Sequence, residues 1–335
     1  MPDADRPANS PLEAGIAAMS RYVPATRPTL YFIGVTTGKS SIMKVFPAWA
    51  DFLGLRDAVI RGIDFPLHAE PEAYREAVRF IRDDPLSLGA LVTTHKIDLY
   101  KASRDLFDEI DPHARFMDET SCISKRDGRL VCHAKDPITS GLALDGFLPK
   151  DHFARTGAEL FSIGAGGSTI ALTWHMMREA RGADRPSRII VSNRSAARLD
   201  DIRRIHAEFA GTIPVDYVLA PNPSDNDAVV AGLKPGSLVI NATGLGKDAP
   251  GSPLTDAAVF PQDGIVWDLN YRGELVFLDQ ARAQKVGRNL QIEDGWTYFL
   301  YGWTQVIAEV FHIDIPASGP RFDEISAIAA RASRG

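Results

Sequence analysis

The sequence predicts an α/β fold with parallel sheets, and three observations predict it. Short apolar runs of strand length alternate with longer stretches whose apolar residues recur at helical spacing, the rhythm that places a helix between successive parallel strands. The 335 residues suggest two domains. The rhythm pauses after residue 148 and restarts near 160 with a strand that runs into a glycine turn, FSIGAGGSTIAL (161–172).

The elements follow in order. Residues 1–27 carry prolines, alanines and mixed charge and read as a loose arm, with one helical turn around Leu12–Tyr22. LYFIGVTT (30–37) is a strand; SIMKVFPAWADFLGL (41–55) is a helix that Pro47 limits or kinks. DAVIRGIDF (57–65) is a strand, and PEAYREAVRFIRDD (71–84) is an amphipathic helix with Tyr74, Val78, Phe80 and Ile81 as core candidates. LGALVTT (88–94) is a strand followed by a helical pattern, and DGRL (127–130) marks a hairpin. DPITSGLALDGFL (136–148) is a helix with Pro137 at its first position and Asp136 at or beside the N-cap. In the second half, LFSIGAGG, RIIVSN, SLVINAT (237–243) and GIVWDLNY (264–271) are strands. STIALTWHMMREAR, SAARLDDIRRIHAEF, FLDQARAQKV (277–286) and GWTYFLYGWTQVIAEVF (295–311) are helices.

Composition narrows the function classes. At 45% hydrophobic and 24% charged the chain is of ordinary globular composition. A net charge of −6 gives no basic footprint for nucleic acid. No apolar stretch approaches the roughly 18 residues of a membrane span. Cys122 and Cys132 are the only cysteines. Residues 1–20 lack the pattern of a secretory signal, so two free thiols in a reducing cytoplasm are expected. No CxxC, HxxxH or HExxH spacing occurs, and no metal is expected.

Two stretches carry chemistry. In GALVTTHKID (89–98) a buried strand delivers His95 and Lys96 to its carboxyl end, where open α/β sheets place their ligands; a solvated loop that starts a helix is the alternative. In the glycine turn, Gly164 permits the tight turn and Gly166 leaves room for a pyrophosphate at the next helix N-terminus. The following strand ends in VSNRSAAR, so Arg194, Ser195 and Arg198 stand where a carboxylate would select a ribose hydroxyl. Arginine binds phosphate by paired, charge-assisted bonds. Cations at a helix N-terminus oppose its dipole, which makes an anionic ligand the better reason for them. NADP(H) is therefore expected over NAD(H).

With these residues in view, the chain resembles the shikimate/quinate dehydrogenase family over roughly residues 30–311. GAGGST is similar to that family's glycine loop, NRSAARL (193–199) to its NADP clamp, VINATGLG (239–246) to the stretch beside the nicotinamide, and VWDLNY (266–271) to its Asp-x-x-Tyr segment. The resemblance implies an N-terminal α/β substrate domain, a Rossmann-type NADP-binding domain and a C-terminal helix returning to the first domain. The expected bounds are an arm at 1–28, a substrate domain at 29–148 rejoined by 289–330, and a cofactor domain at 149–288. It further implies that Lys96, in LVTTHK, and Asp136, in AKD, are the catalytic pair in the cleft. A lysine beside a carboxylate can move an alcohol proton and stabilise charge on oxygen. Ser40, Thr93, Tyr271 and Gln305 are expected to contact substrate, with Gly302 an equally good register for the last. Gly164, Gly166, Gly167, Ser168, Asn193, Arg194, Ser195, Arg198 and Thr243 are expected to hold cofactor.

The departures fall on the substrate side. The family's Ser-x-Ser pair is reduced to Ser40 in TGKSS (37–41), with Gly38 and Lys39 beside it. Leu91 stands for an asparagine, Ile123-Ser124 for Asn-Thr, Ala134-Lys135 for Asn-Thr, and Ile170 for an arginine. An unpaired buried polar group costs about 1–3 kcal/mol, so several such losses disfavour shikimate. The expected function is NADP(H)-dependent interconversion of an alcohol and a ketone on a small cyclic hydroxy acid or related compound, in a cytoplasmic monomer or homodimer. A genuine shikimate or quinate dehydrogenase and a non-catalytic NADP-binding regulator are the alternatives. Roles for His95 and Lys39 stay open.

Overall fold

The computed structural model describes residues 22–209, 213–247 and 249–334. Most of the expected N-terminal arm, with its helical turn, lies outside them. The first half runs β1 (Thr29–Gly34), α1 (Ile42–Leu53), β2 (Val59–Asp64), α2 (Pro71–Asp83), β3 (Ser87–Val92), α3 (Lys96–Ser103), β4 (Glu109–Ile110), α4 (Pro112–Met117), β5 (Cys122–Arg126), β6 (Arg129–His133), α5 (Asp136–Phe147) and α6 (His152–Thr156). The second runs β7 (Leu160–Ile163), α7 (Gly167–Met177), β8 (Ile189–Asn193), α8 (Ala196–Ala207), β9 (Val215–Leu219), α9 (Pro223–Ala231), β10 (Leu238–Asn241), β11 (Ile265–Asp268), α10 (Val276–Arg288) and β12 (Gln291–Glu293). Two helices close the chain, α11 (Trp296–Phe311) and α12 (Pro320–Arg334).

The strands form two six-stranded sheets. The first has order β2-β1-β3-β5-β6-β4 and the second β12-β11-β10-β7-β8-β9. Every pairing in the second is parallel. Its central strands are buried along their whole length, as expected where helices cover both faces. The first sheet is mixed: β1 pairs in parallel with β2 and β3, while β5 is antiparallel to β3 and β6. The hairpin turns at Asp127 and Gly128, both at positive φ, the geometry of a tight two-residue turn.

Pro47 neither ends nor limits α1, which continues to Leu53. The proline lies on the exposed face, where water can meet the carbonyl it leaves without a partner. Of the core candidates in α2, Tyr74, Val78 and Ile81 are buried; Phe80 is only partly so and packs on Tyr22 and Tyr31. Cys122 and Cys132 are buried free thiols.

The C-terminal helix α11 returns to the first sheet. Trp303 packs edge-on against Phe32 at 4.9 Å, and Glu309 takes ion pairs from Arg126 and Lys135 at 2.8 and 2.6 Å. Helix α12, which the sequence pattern does not single out, packs beyond it: the Trp49 indole donates to the Ile325 carbonyl at 2.9 Å, and Phe322 stacks on Tyr301. No helix among the described residues is long and apolar enough to cross a membrane.

Candidate active site

The carboxyl end of β3 explains how Lys96 is aimed. Thr93 N still bonds to Ile33 O at 2.9 Å, as the sheet would continue. Thr94 then takes φ 52°, an uncommon conformation for a β-branched residue and a local cost of a kind that clusters at functional sites. The reversal sends the next two side chains apart. His95 turns into the core between Phe65 and Tyr74, its Nδ1 3.0 Å from the Tyr74 hydroxyl. Burial holds that imidazole below its usual pKa. Lys96, the first residue of α3, points the other way and donates from Nζ to Asp136 Oδ2.

Asp136 begins α5, with Pro137 beside it. Lys135 N donates to Ser121 Oγ at 2.7 Å, which fixes the approach, while the Lys135 ammonium is engaged by Glu309. The lysine next to the aspartate is thus tied to α11 in an ion pair. Asp136 Oδ2 also accepts from the Tyr298 hydroxyl at 3.2 Å, and that hydroxyl lies 3.5 Å from Ser168 Oγ on the glycine loop. Tyr298 therefore joins the Lys96–Asp136 pair to the second sheet.

A further carboxyl stands at this junction. Helix α4 ends at Asp118 in the left-handed conformation. The next residues cross the ends of the first sheet: Thr120 N donates to Lys96 O at 3.2 Å, Ser121 N to His133 O at 3.0 Å, and Ser121 O accepts from Val92 N at 2.9 Å. Glu119 is 2% exposed, and neither of its carboxyl oxygens has a partner. A side chain on Gly167 would place its Cβ 2.3 Å from Glu119 Oε2, so the carboxyl as placed occupies the space that the glycine leaves.

The charges act on one another. Burial is the largest influence on Lys96 and favours the neutral amine, but Asp136, Tyr298 and Glu119 outweigh it and hold the ammonium above its ordinary range. Burial, reinforced by Asp136, raises the Tyr298 phenol. Burial pushes Glu119 up to about 8, against the pull of Lys96 and with the help of Asp136. An unpaired buried carboxylate is costly, so burial favours the protonated form of Glu119.

The glycine turn is built as a phosphate cradle would be. Gly164 has φ 111°, and a Cβ there would lie 2.8 Å from Ala242 O. Thr169 occupies the third position because its hydroxyl closes the turn, donating to Gly164 O at 2.7 Å. Nothing lies within 4 Å of a Cβ on Gly166, which leaves that side of the α7 N-terminus open. At the end of β8, Asn193 Oδ1 accepts from Ser195 N at 2.9 Å, and Ser195 caps α8. Arg194 is exposed, and Arg198 meets only Asp201 across 4.0 Å among its described ion pairs. Thr243 is held by Asn241 Oδ1, whose amide donates to the buried Asp268. Burial raises Asp268 to about 6. The open loop, the helix N-terminus and the two lightly engaged arginines fit a phosphorylated dinucleotide. Among the described residues no cluster could hold a metal ion.

The remaining expected residues have surroundings of their own. Thr37, ahead of Ser40, is pinned by two hydrogen bonds to Asp64 Oδ1 at 2.9 and 2.6 Å, and Ser40 itself is buried. Lys39 is exposed. Tyr271 packs on Trp296 and Phe299. Helical spacing puts Tyr298, Gly302 and Gln305 along one side of α11, with open space around Gly302. Among the described residues, no hydrogen bond joins Ser40, Tyr271 or Gln305 to Lys96 or Asp136. Ile123 corrects an expectation: it belongs to the apolar core with Ile33 and Ala90, so it marks no lost contact in the cleft. Ile170 is likewise buried in a core.

Comparison with known proteins bears on the fold. No protein-family model matches the chain. It is 27% identical over 178 residues to shikimate dehydrogenase (NADP(+)) of Lactococcus lactis, covering 53% of this chain and 59% of that protein. The match thus spans less than two thirds of that relative. In structure it resembles the shikimate dehydrogenase of Aquifex aeolicus, with TM-score 0.68 and 17% identity over 94% of this chain and all of that one. It also resembles a 5-ketofructose reductase of Gluconobacter sp., with TM-score 0.62 and 17% identity over 92% and 99% of the two chains. The fold is a two-domain α/β architecture with a Rossmann-type sheet. Within it, the chain is similar to shikimate dehydrogenases, weakly in sequence and over nearly its whole length in fold.

Proposed function

We propose that this protein is an NADP(H)-dependent oxidoreductase that interconverts an alcohol and a ketone on a small cyclic hydroxy acid or related compound. The observation that carries it is the partly buried Lys96–Asp136 pair, tied through Tyr298 to Ser168 of the glycine loop. The NADP(+) specificity named for the Lactococcus relative supports the choice of cofactor. The division into a substrate domain at 29–148, rejoined by 289–330, and a cofactor domain at 149–288 belongs to the same proposal.

When bound, the nicotinamide would supply or accept the hydride. Gly164, Gly166, Gly167 and Ser168 would hold the pyrophosphate at the α7 N-terminus. Asn193, Arg194, Ser195 and Arg198 would hold the 2′-phosphate, and Thr243 would stand beside the nicotinamide. The chain's own work is proton chemistry. The Lys96 ammonium donates a hydrogen bond to the reacting oxygen, stabilises negative charge on it and transfers a proton to it in the direction of reduction. Asp136 keeps that ammonium charged and oriented, and Tyr298 fixes the second lone-pair direction of the carboxylate. Ser40, Thr93, Tyr271 and Gln305 would line the substrate side.

NADPH formation across a panel of cyclic hydroxy acids, amino-substituted analogues and simple polyols tests the proposal. Turnover of at least one class, abolished by Lys96→Met, is the expected result. NADPH binding without turnover of any compound in either direction would make the protein a cofactor-binding regulator instead.

A further inference from the structure

Glu119 has no part in the chemistry above, yet its setting is that of a ligand-facing group. It lies on the segment that crosses the ends of β3 and β6, one residue from the Thr120 amide bonded to the Lys96 carbonyl. It presses on Gly167 of the glycine loop. Lys96 and Asp136 are the two charges that act on it. Both carboxyl oxygens are buried with no protein partner, although buried polar atoms are nearly always paired. The other orphaned polar atoms of the described residues include Tyr100 and Ser103 hydroxyls; none of the others is a carboxyl, the group with the most acceptor capacity. A carboxyl left unpaired between the catalytic pair and the glycine loop has room in its hydrogen bonding for a polar group that arrives with a ligand.

We propose that Glu119 is a specificity-determining residue that accepts a hydrogen bond from a hydroxyl or ammonium group carried by the substrate away from its reacting carbon. It would supply polar recognition in a pocket where Gly38 and Leu91 offer none. The cleft must open for the substrate to reach it, since Glu119 is enclosed by both domains. The inference rests on Lys96 and Asp136 being the reacting pair. A hydroxyl donor leaves the Glu119 proton in place. An ammonium donor favours its release, so the two donors differ in pH dependence as well as in chemistry.

The test uses the full chain, Glu119→Gln and Glu119→Leu, with a matched substrate set: a hydroxy acid the wild type turns over, its amino-substituted counterpart and the deoxy analogue lacking both groups. Expected is at least a tenfold loss of kcat/KM in Glu119→Gln on one donor-bearing substrate, a larger loss in Glu119→Leu, and less than a threefold change on the deoxy analogue. NADPH affinity, read by calorimetry, should stay unchanged in Glu119→Gln. A loss on the hydroxyl compound alone identifies a hydroxyl ligand, and a loss on the amino compound alone an ammonium. Equal losses on all three substrates, no loss on any, or a weakened NADPH affinity would overturn the inference while leaving the dehydrogenase assignment standing. Absence of wild-type turnover on every compound would instead remove the assignment itself, and the inference with it.

Discussion

The Tyr298 hydroxyl donates to Asp136 Oδ2 at 3.2 Å, the same oxygen that receives the Lys96 ammonium. One carboxylate oxygen thus gathers α3 and α11, which are remote in sequence, and the tyrosine carries the contact on to Ser168. A carboxylate that binds both a cation and a phenol is held in one rotamer. The orientation of Lys96 therefore depends on a residue near the C-terminal end of the chain.

Tyr298→Phe should lower kcat with little effect on stability, because the ring stays packed edge-on against Trp267. A hydrogen bond to a charged group contributes about 1.5–3 kcal/mol, which corresponds to a loss of roughly 10- to 150-fold. Steady-state kinetics on the best substrate checks it. A variant with wild-type kcat would show that Tyr298 only bridges the domains.

Arg194→Ala should weaken NADP(H) chiefly and NAD(H) little. Arg194 is exposed at the end of β8, so its removal leaves the core intact. Loss of a charge-assisted bond to the 2′-phosphate, about 1.5–3 kcal/mol, predicts a decrease of roughly 10- to 150-fold in NADP(H) affinity. Calorimetric titration with both cofactors measures it, and equal wild-type affinities for the two would sink the 2′-phosphate clamp.

Shikimate should be a poor substrate, with kcat/KM below about 10⁴ M⁻¹s⁻¹, the lower end of the ordinary enzyme range. Gly38 carries the argument most directly, since Ile123 lies in an apolar core and Leu91 packs partly against another. Efficient turnover of shikimate would show that Thr93, Ser121 or another nearby hydroxyl compensates, and would make the protein a genuine shikimate dehydrogenase.

The sheets and the cofactor loop were legible in the sequence because their signals are local. Strand-length apolar runs, the glycine turn and the Asp-Gly hairpin each depend on neighbours in the chain. The same locality let LVTTHK and AKD be placed at strand ends. Three features were not legible. Tyr298 sits in an aromatic-rich helix, where density suggests core, and only its distance of 162 residues along the chain from Asp136 and their contact in space show its second role. Glu119 lies in DETS, an unremarkable polar stretch, and Gly167, against which its carboxyl lies, is remote in sequence. Helix α12 has too few buried positions to stand out from a polar terminus, with Phe322, Ile325 and Ala329 alone fully inside. In each case the decisive neighbour is remote in sequence.

Glu119 should make stability depend on pH in a direction opposite to that of most carboxylates. Its folded pKa is raised to about 8, above the roughly 4.3 of an unfolded glutamate. The folded state then binds the proton more tightly than the unfolded state. Its contribution is fully present below about pH 4, is lost as pH rises toward 8, and is gone above that. Glu119→Gln keeps the shape and cannot ionise, so its melting temperature relative to wild type should rise between pH 5 and 8 and level off beyond. Thermal unfolding of both proteins across that range measures the difference, and a difference independent of pH would mean that Glu119 is ionised or solvated in the folded protein.

Lys96→Met should keep the fold and the affinity for NADP(H) while reducing kcat at least about 100-fold, the lower end for general acid–base catalysis. Methionine retains much of the alkyl packing and removes the ammonium. The removal strands Asp136, which keeps only the Tyr298 hydroxyl, so some stability is lost; folding must be verified by thermal unfolding before kcat is compared. Asp136→Asn should act on the same step. It leaves Lys96 buried beside a neutral amide, with its charge no longer balanced by the partner that raises its pKa. The double variant should then lose little more activity than Lys96→Met alone, because groups that act as one unit are not additive. If the single losses multiply in the double variant, Lys96 and Asp136 serve separate steps. If Lys96→Met retains near-full activity, the partly buried pair is a structural ion pair between α3 and α5, and the proton must pass through another group.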